Sequence, residues 1–205
     1  MALSFDSGTT VGTAGTAAIT IAGGNEILVG FATQYNNVTK PTLTFAGTAM
    51  TYIGSALQTN ALTIFSYYLL NPPTGLGTLS TTFGGGANSV SIGAYVQAAQ
   101  SGQPDASNSL FAATTQNPTG TITTVTNNDW IVLGWYTDNT ESSLTNAILR
   151  SIIVNGAGFG DSNSNVAIGA NTQTINLSTA GNTVLAQVAI APLSLGSGNL
   201  LLSDI

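Results

Sequence analysis

Short apolar runs separated by polar, turn-forming residues set the pattern of this chain. The runs are rich in Ile, Val, Thr, Tyr and Phe, and Gly, Asn, Pro and Ser lie between them. β-Branched and aromatic residues favour strands, whereas the charged helix formers Glu, Lys and Arg are scarce. Many short strands between turn signals are typical of an antiparallel sandwich or barrel. The pattern therefore predicts an all-β chain that folds as a single, jelly-roll-like, antiparallel β-sandwich.

Local periodicity predicts two kinds of strand. Alternating apolar and polar residues predict half-buried strands at 17–21 and 42–45, whereas continuous apolar runs predict strands buried on both faces at 27–33 and 129–136. The other predicted strands are 50–53, 62–70, 78–83, 89–96, 119–125, 166–169, 172–177 and 184–191. Residues 147–154 are predicted as a strand or one short helical turn. The polar segments predicted as loops are 97–104, 138–146 and 156–165.

The last ten residues are predicted to be separate from the sandwich. Gly196-Ser197-Gly198 has the composition of a flexible link. The apolar residues that follow it are Leu200, Leu201, Leu202 and Ile205. An apolar peptide exposed to water favours aggregation, so we expect it to dock as an edge strand on its own sheet or as an arm on a neighbouring subunit. The predicted units are a sandwich domain at 1–195 and a partner-binding tail at 196–205.

Charge is the strongest anomaly in the composition. Only 5% of the residues are charged, with 2 Lys and Arg against 8 Asp and Glu, and there is no His or Cys. A typical soluble domain is about 25% charged. Without His or Cys the chain has no Ser-His-Asp or Cys-His catalysis, no disulfide, no ordinary zinc or copper site, no haem and no iron–sulfur cluster. We therefore expect no cofactor and no enzymatic activity.

The same composition bears on partners and location. With two basic residues and a formal net charge of −6, binding to nucleic acid or to an anionic membrane is not expected. Residues 1–6 contain no basic residue and no apolar core, so no secretory signal peptide is predicted. A surface without charge repulsion suits a protein that packs against neighbours. Low charge thus favours an assembly component.

The segment Asp161-Ser162-Asn163-Ser164-Asn165 begins like a calcium loop. Asp161, Asn163 and Asn165 would offer oxygen ligands at alternating positions. The sixth position is Val166 rather than Gly and the twelfth is Thr172 rather than Glu, so the EF-hand pattern fails. The three residues remain a weak calcium candidate, and an Asn/Ser-rich turn is the favoured interpretation.

Two further groups of side chains are candidates for binding or catalysis. The acids Asp105, Asp129, Asp138 and Glu141 would have to form a pair of defined separation to hydrolyse glycosides, and they are expected instead to be solvated. Trp130 and Trp135 are candidates for stacking on a glycan. Because their numbers differ by an odd interval, a regular strand points them to opposite faces. One is predicted to be a core residue and the other to lie nearer a surface, although packing of both is the favoured alternative.

Four segments together resemble a known protein family. They are the strand at 26–31, the hairpin at 43–55 with the sequence L-T-F-A-G-T-A-M-T-Y-I-G-S, the aromatic strand at 64–75 that ends in N-P-P-T-G, and the strand at 89–95 with Gly-Ala-Tyr. Their order resembles a lectin-like β-sandwich module of bacteriophage virion proteins and large extracellular bacterial proteins. The resemblance covers roughly residues 3–192. It implies a β-sandwich used for structure or binding and brings no catalytic residues.

These observations converge on a structural function. We expect a bacteriophage virion protein, in the role of a capsid decoration (cement) protein that bridges and stabilises capsid subunits on the virion exterior. Its expected partners are copies of itself in a homo-oligomer, as a trimer, and the major capsid protein or other virion proteins. Release by lysis of the host would account for a surface domain without a signal peptide. The alternatives are a glycan- or host-binding module of a tail or fibre protein, and a filament or sheath subunit joined by strand exchange through the tail.

Overall fold

The described part of the chain folds into strands, turns and loops without a helix, as the sequence predicts. A computed structural model describes residues 2–12, 16–58, 61–83, 88–153 and 156–194. Within them no helix has the length and apolar character needed to cross a membrane. The strands are β1 (Ser4–Gly12), β2 (Ala17–Ile21), β3 (Ile27–Tyr35), β4 (Thr42–Phe45), β5 (Thr48–Ala49), β6 (Thr51–Leu57), β7 (Leu62–Leu70), β8 (Gly75–Thr82), β9 (Asn88–Val96), β10 (Ala106–Thr115), β11 (Thr119–Thr124), β12 (Trp130–Thr137), β13 (Glu141–Thr145), β14 (Ile148–Ile153), β15 (Ala157–Asp161), β16 (Gly169–Leu177) and β17 (Gly181–Ile190).

The strands form four antiparallel sheets, two from each half of the chain. In the first half, β1-β9-β3-β7-β6 is the N inner sheet and β2-β8-β4-β5 is the N outer sheet. In the second half, β10-β17-β12-β15-β14 is the C inner sheet and β11-β16-β13 is the C outer sheet. Side chains from both inner sheets fill one apolar core, so the two halves form a single domain.

The two halves repeat the same topology. Reading along each inner sheet, β1, β9, β3, β7 and β6 correspond to β10, β17, β12, β15 and β14, and β2-β8-β4 corresponds to β11-β16-β13. Sheets that alternate strands in this way, joined by long connections, have jelly-roll topology. The sequence predicts one jelly-roll-like sandwich, whereas the structure contains the jelly-roll arrangement twice in tandem.

The hydrogen-bond register confirms the duplication. Ile21 pairs with Gly75 between β2 and β8, and Thr124 pairs with Gly169 between β11 and β16. Both glycines begin their strand at positive φ, 89° and 118°, a region that side chains with a Cβ avoid. The two halves therefore use the same unusual backbone at the same place.

Three stacked cores explain why the central strands are so apolar. In β3, Ile27, Val29 and Phe31 point into the core between the inner sheets, whereas Leu28 and Ala32 point into the core beneath the N outer sheet. β12 divides its side chains in the same way between the inner core and the C outer sheet. A strand covered on both faces must be apolar at successive positions, which is the continuous pattern that predicted both strands.

The inner sheets interlock through aromatic rings placed over glycines. A Cβ at Gly134 of β12 would lie only 2.2 Å from Cγ of Phe31 in β3. In the opposite direction, a Cβ at Gly8 of β1 would lie 2.6 Å from Cζ of Phe159 in β15. Both rings are fully buried. Each inner sheet therefore places an aromatic ring in the space that a glycine leaves on the other sheet.

Several sequence predictions of local structure are wrong. The segments 138–146 and 156–165, predicted as polar loops, contain β13 and β15, and no strand was predicted for β1 or β10. β15 has the sequence Ala-Gly-Phe-Gly-Asp, and its two glycines are typical of a loop although all five residues are buried. β1 and β10 are edge strands rich in Ser, Thr and Asn, with too few apolar residues to give a periodic signal. Where a strand or a helical turn was predicted at 147–154, the described residues up to 153 form the strand β14. The tail residues 196–205 lie outside the described part of the chain.

Candidate functional site

Three of the nine charged residues in the described part of the chain are buried. Glu26, Asp129 and Asp161 are buried, at 2%, 0% and 0% exposure. Among the described residues, only Lys40 and Asp138 of the charged set are exposed, and the other four are partly buried. The surface is therefore even closer to neutral than the composition suggests. The chemistry of the buried carboxyl groups decides what they do.

Asp161 forms a buried ion pair that joins the two halves. Its carboxylate accepts hydrogen bonds from Nε of Arg150 at 2.7 Å, Nη2 of Arg150 at 3.0 Å and Oη of Tyr95 at 3.1 Å. The Arg150 guanidinium also lies 4.3 Å from the centre of the Phe5 ring. Tyr95 and Phe5 belong to the first half, and Arg150 and Asp161 to the second. The ion pair lies within the C inner sheet, and its contacts with Tyr95 and Phe5 connect it to the N inner sheet.

This ion pair bears on the weak calcium candidate. Asp161 is engaged by Arg150, and Oδ1 of Asn163 accepts a hydrogen bond from Nη2 of Arg150 at 2.7 Å. Oδ1 of Asn165 accepts a hydrogen bond from the Trp130 indole at 3.1 Å. All three oxygen donors thus have protein partners, which favours the turn interpretation. In the described part of the chain, no three His, Cys, Asp or Glu side chains are grouped to hold a metal ion.

Both tryptophans are core residues, which confirms the favoured interpretation and contradicts the alternative that one of them lies near a surface. Trp130 is 6% exposed in the core between the inner sheets, and Trp135 is 0% exposed beneath the C outer sheet. They do point to opposite faces of β12, but another sheet covers each face. Neither indole can stack on a glycan at the surface, and the glycan-binding candidates are core residues.

Asp105 and Asp129 form a carboxyl pair at the start of β12. Asp105 accepts hydrogen bonds from the Val125 amide at 2.7 Å, from Oγ1 of Thr126 at 2.5 Å and from the Thr126 amide at 3.3 Å. Both carboxyl oxygens of Asp129 are buried without a donor among the described groups. Burial, and then the hydrogen bond and negative charge of Asp105, raise the pKa of Asp129 to about 8. Asp129 is therefore protonated at neutral pH and donates its proton to Asp105.

The pKa of Asp105 shifts in the opposite direction. Burial alone would raise it, but the hydrogen bonds from Asp129, Thr126 and Val125 outweigh burial and hold the pKa below its ordinary value. One proton shared between two unequal carboxyl groups is the stable state of such a pair, since two adjacent buried carboxylates repel. Asp105 is the carboxylate and Asp129 is the acid.

The first half contains an equivalent pair in the loop before β3. Glu26 accepts a hydrogen bond from the Gly23 amide at 2.6 Å, and Asp6 accepts one from the Ala22 amide at 3.4 Å. Burial, with the hydrogen bond and charge of Asp6 adding to it, raises the pKa of Glu26 to about 7. Each pair thus holds the loop that leads into a central strand.

Sequence reasoning missed these pairs, although a signal for them exists. An acid follows an asparagine at the start of both central strands, as Asn25-Glu26 and Asn128-Asp129. Both asparagines have positive φ, 59° and 67°. The repeated motif of Asn, acid, apolar run, Gly and aromatic residue would have indicated the duplication.

Asp105 and Asp129 do not have the pair geometry of a glycosidase. Asp105 and Asp129 are in direct hydrogen-bond contact, whereas the two carboxyl groups of a glycosidase stand about 5–10 Å apart. Asp138 follows the far end of β12, about 30 Å from Asp129 at the rise of an extended strand. Its two carboxyl oxygens each accept a hydrogen bond at 2.8 Å from Asn182.

A pocket of about 370 Å³ lies where β3 and β12 end. Tyr35, Tyr136 and Leu62 contribute apolar surface, and Asp138 and Asn139 contribute polar groups. Tyr35 is 42% exposed. Burial, and to a smaller extent Tyr35, raise the pKa of Tyr136. The pocket combines an exposed aromatic ring with an Asp/Asn loop.

Comparison with known proteins gives no relative to interpret the site by: no family model, curated protein or solved structure matches this chain.

Proposed function

We propose that the protein is a non-enzymatic structural component of a bacteriophage virion, in the role of a capsid decoration protein. On the virion exterior, copies of the chain would assemble as a homo-oligomer, a trimer, and would bridge and stabilise subunits of the major capsid protein. The mechanism is mechanical. A rigid stack of four sheets presents its edges and loops to neighbours, and each contact adds buried area.

The observation that supports this proposal is the neutral and partly apolar surface. Several large apolar side chains are exposed: Tyr35, Val38, Tyr52, Leu57, Leu76, Phe111, Val125, Ile148, Leu149, Ile152 and Ile168. Three of them, Ile148, Leu149 and Ile152, lie on β14, at the edge of the C inner sheet. Exposed apolar edge strands favour pairing with another chain, and few surface charges oppose that contact.

Copy number on purified particles tests the proposal. Quantitative mass spectrometry of intact virions is expected to find this chain at a stoichiometry comparable with the major capsid protein. Virions without the chain should lose their genome at a lower temperature, and adding the purified protein should restore the original temperature. A handful of copies per particle, or no association with particles, would contradict the decoration function.

The pocket at the ends of β3 and β12 favours glycan binding as a second candidate function. An exposed Tyr35 ring can stack on a sugar face, and Asp138, Asn139 and the Tyr136 hydroxyl are polar groups beside it. Glycan-array binding that Tyr35→Ala abolishes and Tyr52→Ala preserves would support this function, because Tyr52 is exposed to a similar degree on another strand. Equal loss in both variants, or no binding at all, would exclude the pocket as a glycan site.

A further inference from the structure

The two carboxyl pairs occupy equivalent places and hold equivalent loops. Asp6 and Glu26 accept the amides of Ala22 and Gly23, immediately after β2. Asp105 accepts the amides of Val125 and Thr126, immediately after β11. In both halves, one acid is the last loop residue before a central strand: Glu26 precedes β3 and Asp129 precedes β12. The other acid lies at the first strand of the half: Asp6 is within β1, and Asp105 immediately precedes β10. Both copies of the fold thus contain a pair of carboxyl groups that binds the loop before the central strand.

A proton fits between Asp105 and Asp129 better than a metal ion does. Asp105 already accepts three hydrogen bonds, and the carboxyl group of Asp129 is fully buried. Calcium needs six to eight oxygen ligands, and magnesium keeps several waters. A single proton satisfies both carboxyl groups, and it accounts for the Asp129 oxygens that no other described group contacts.

We propose that the two carboxyl pairs are proton-dependent clamps, which hold the loops at 22–25 and 125–128 while protonated and release them when Asp129 and Glu26 ionise. Loss of the proton places two negative charges side by side, one of them buried. The structure can relieve this repulsion only if water enters or if one carboxylate moves away. Movement of Asp105 would free the amides of Val125 and Thr126, and movement of Asp6 would free that of Ala22.

No cation opposes this ionisation in the described residues. Asp105 is the charged group that acts on Asp129, and Asp6 is the one that acts on Glu26. Arg150 is engaged with Asp161, and the Lys40 ammonium lies 4.6 Å from the centre of the Tyr52 ring. Ionisation is therefore uncompensated in both pairs.

The clamps lie beside the described ends of the chain. Ala98 donates its amide to the Asn25 carbonyl at 2.9 Å and pairs with Pro192. Asn127 and Asn128, in the loop that Asp105 holds, line a second pocket together with Ala2, Leu193 and Ser194. Release of the loops would alter the surface beside Ala2 and Ser194. This inference stands independently of the proposed virion function.

The sign of the pH effect follows from the raised pKa values. A carboxyl group whose pKa is higher in the folded than in the unfolded state stabilises the fold fully below its unfolded pKa, and this contribution is lost as pH rises through the folded pKa. For Glu26 and Asp129 the loss extends from about pH 4 through their folded values of about 7 and about 8. The raised pKa of the half-buried Glu141 acts in the same direction, and the lowered pKa of Asp105 acts in the opposite direction.

Amide hydrogen exchange on the full chain tests the clamps one by one. After correction for the intrinsic rate, protection of Val125 and Thr126 is expected to fall at least tenfold between about pH 6 and about pH 9. Asp129→Asn should abolish that fall, because the Asn amide donates to Asp105 at every pH, but it should leave the response of Ala22 unchanged. Glu26→Gln should have the reverse effect. Each variant is the matched control for the other, and either alone suffices if the other does not fold.

Two further measurements complete the test. Infrared spectra of the wild type at about pH 6 should show the carbonyl band of protonated buried acids, which Asp129→Asn and Glu26→Gln should each weaken and the double variant should abolish. Asp138→Asn, at the exposed end of β12, should leave both responses intact. Unchanged pH dependence in Asp129→Asn and Glu26→Gln would overturn the proposal. The proposal would also be overturned if added calcium restored amide protection at about pH 9 in the wild type and not in the variants, because the carboxyl pairs would then bind a cation.

Discussion

The contact between Phe31 and Gly134 is expected to hold the two halves of the molecule together. Phe31 is fully buried, and its ring covers Gly134 so closely that a Cβ there would lie 2.2, 2.5 and 2.6 Å from three ring atoms. Gly134→Ala therefore creates a clash that neither residue can relieve at the surface. Phe31→Ala does the reverse and leaves a cavity between the inner sheets.

The expected magnitudes follow from the two kinds of defect. Truncating a buried Phe to Ala costs about 3–5 kcal/mol, and an added methyl group in a well-packed core costs about 1–3 kcal/mol. In the double variant, the new methyl group points into the cavity left by the ring, so the clash disappears. We expect the double variant to be at least about 1 kcal/mol more stable than the sum of the single costs predicts.

Equilibrium unfolding in denaturant measures this coupling. Trp130 lies in the same core and reports on it by fluorescence, and circular dichroism follows the loss of strands in both halves. Gly54→Ala is the control, since its Cβ would meet only Oγ of Ser109, at 3.9 Å, and it should change stability by less than about 0.5 kcal/mol. Additive costs within about 0.5 kcal/mol would refute the interlock.

Three further predictions test other parts of the structure. Arg150→Met should destabilise the fold by about 3–5 kcal/mol in thermal or denaturant unfolding, because it leaves the Asp161 carboxylate buried without its cation. A loss below about 1 kcal/mol would contradict the ion-pair assignment. Gly75→Ala and Gly169→Ala should each cost about 1 kcal/mol through positive φ alone, since a Cβ at either position meets no atom within 4 Å; no loss in denaturant unfolding would contradict the strand-start geometry. Deleting residues 196–205 should preserve the circular dichroism spectrum and abolish self-association in sedimentation; an unchanged oligomer would contradict the predicted arm.

The candidate sites show where sequence reasoning fails. Trp130 and Trp135 were placed correctly on opposite faces of a strand, but the sequence could not show that a sheet covers each face. Asp129 was expected to be solvated because acids at strand ends usually are. Its burial depends on Asp105, which is distant along the chain and near only after folding. Arg150 and Asp161 carry no sequence signal of pairing, because the pair forms across two strands whose register a bulge adjusts.

The sequence alone determined that the chain is all-β and that β3 and β12 are buried strands. Those properties are local, since strand propensity and apolar periodicity are carried by neighbouring residues. Tertiary structure alone decided that two jelly rolls stack through their inner sheets, that Gly-rich β15 is a core strand, and that four acids form two pairs. Those properties depend on contacts between residues far apart in the chain. Side-chain packing and the sharing of a proton are settled only when the sheets meet.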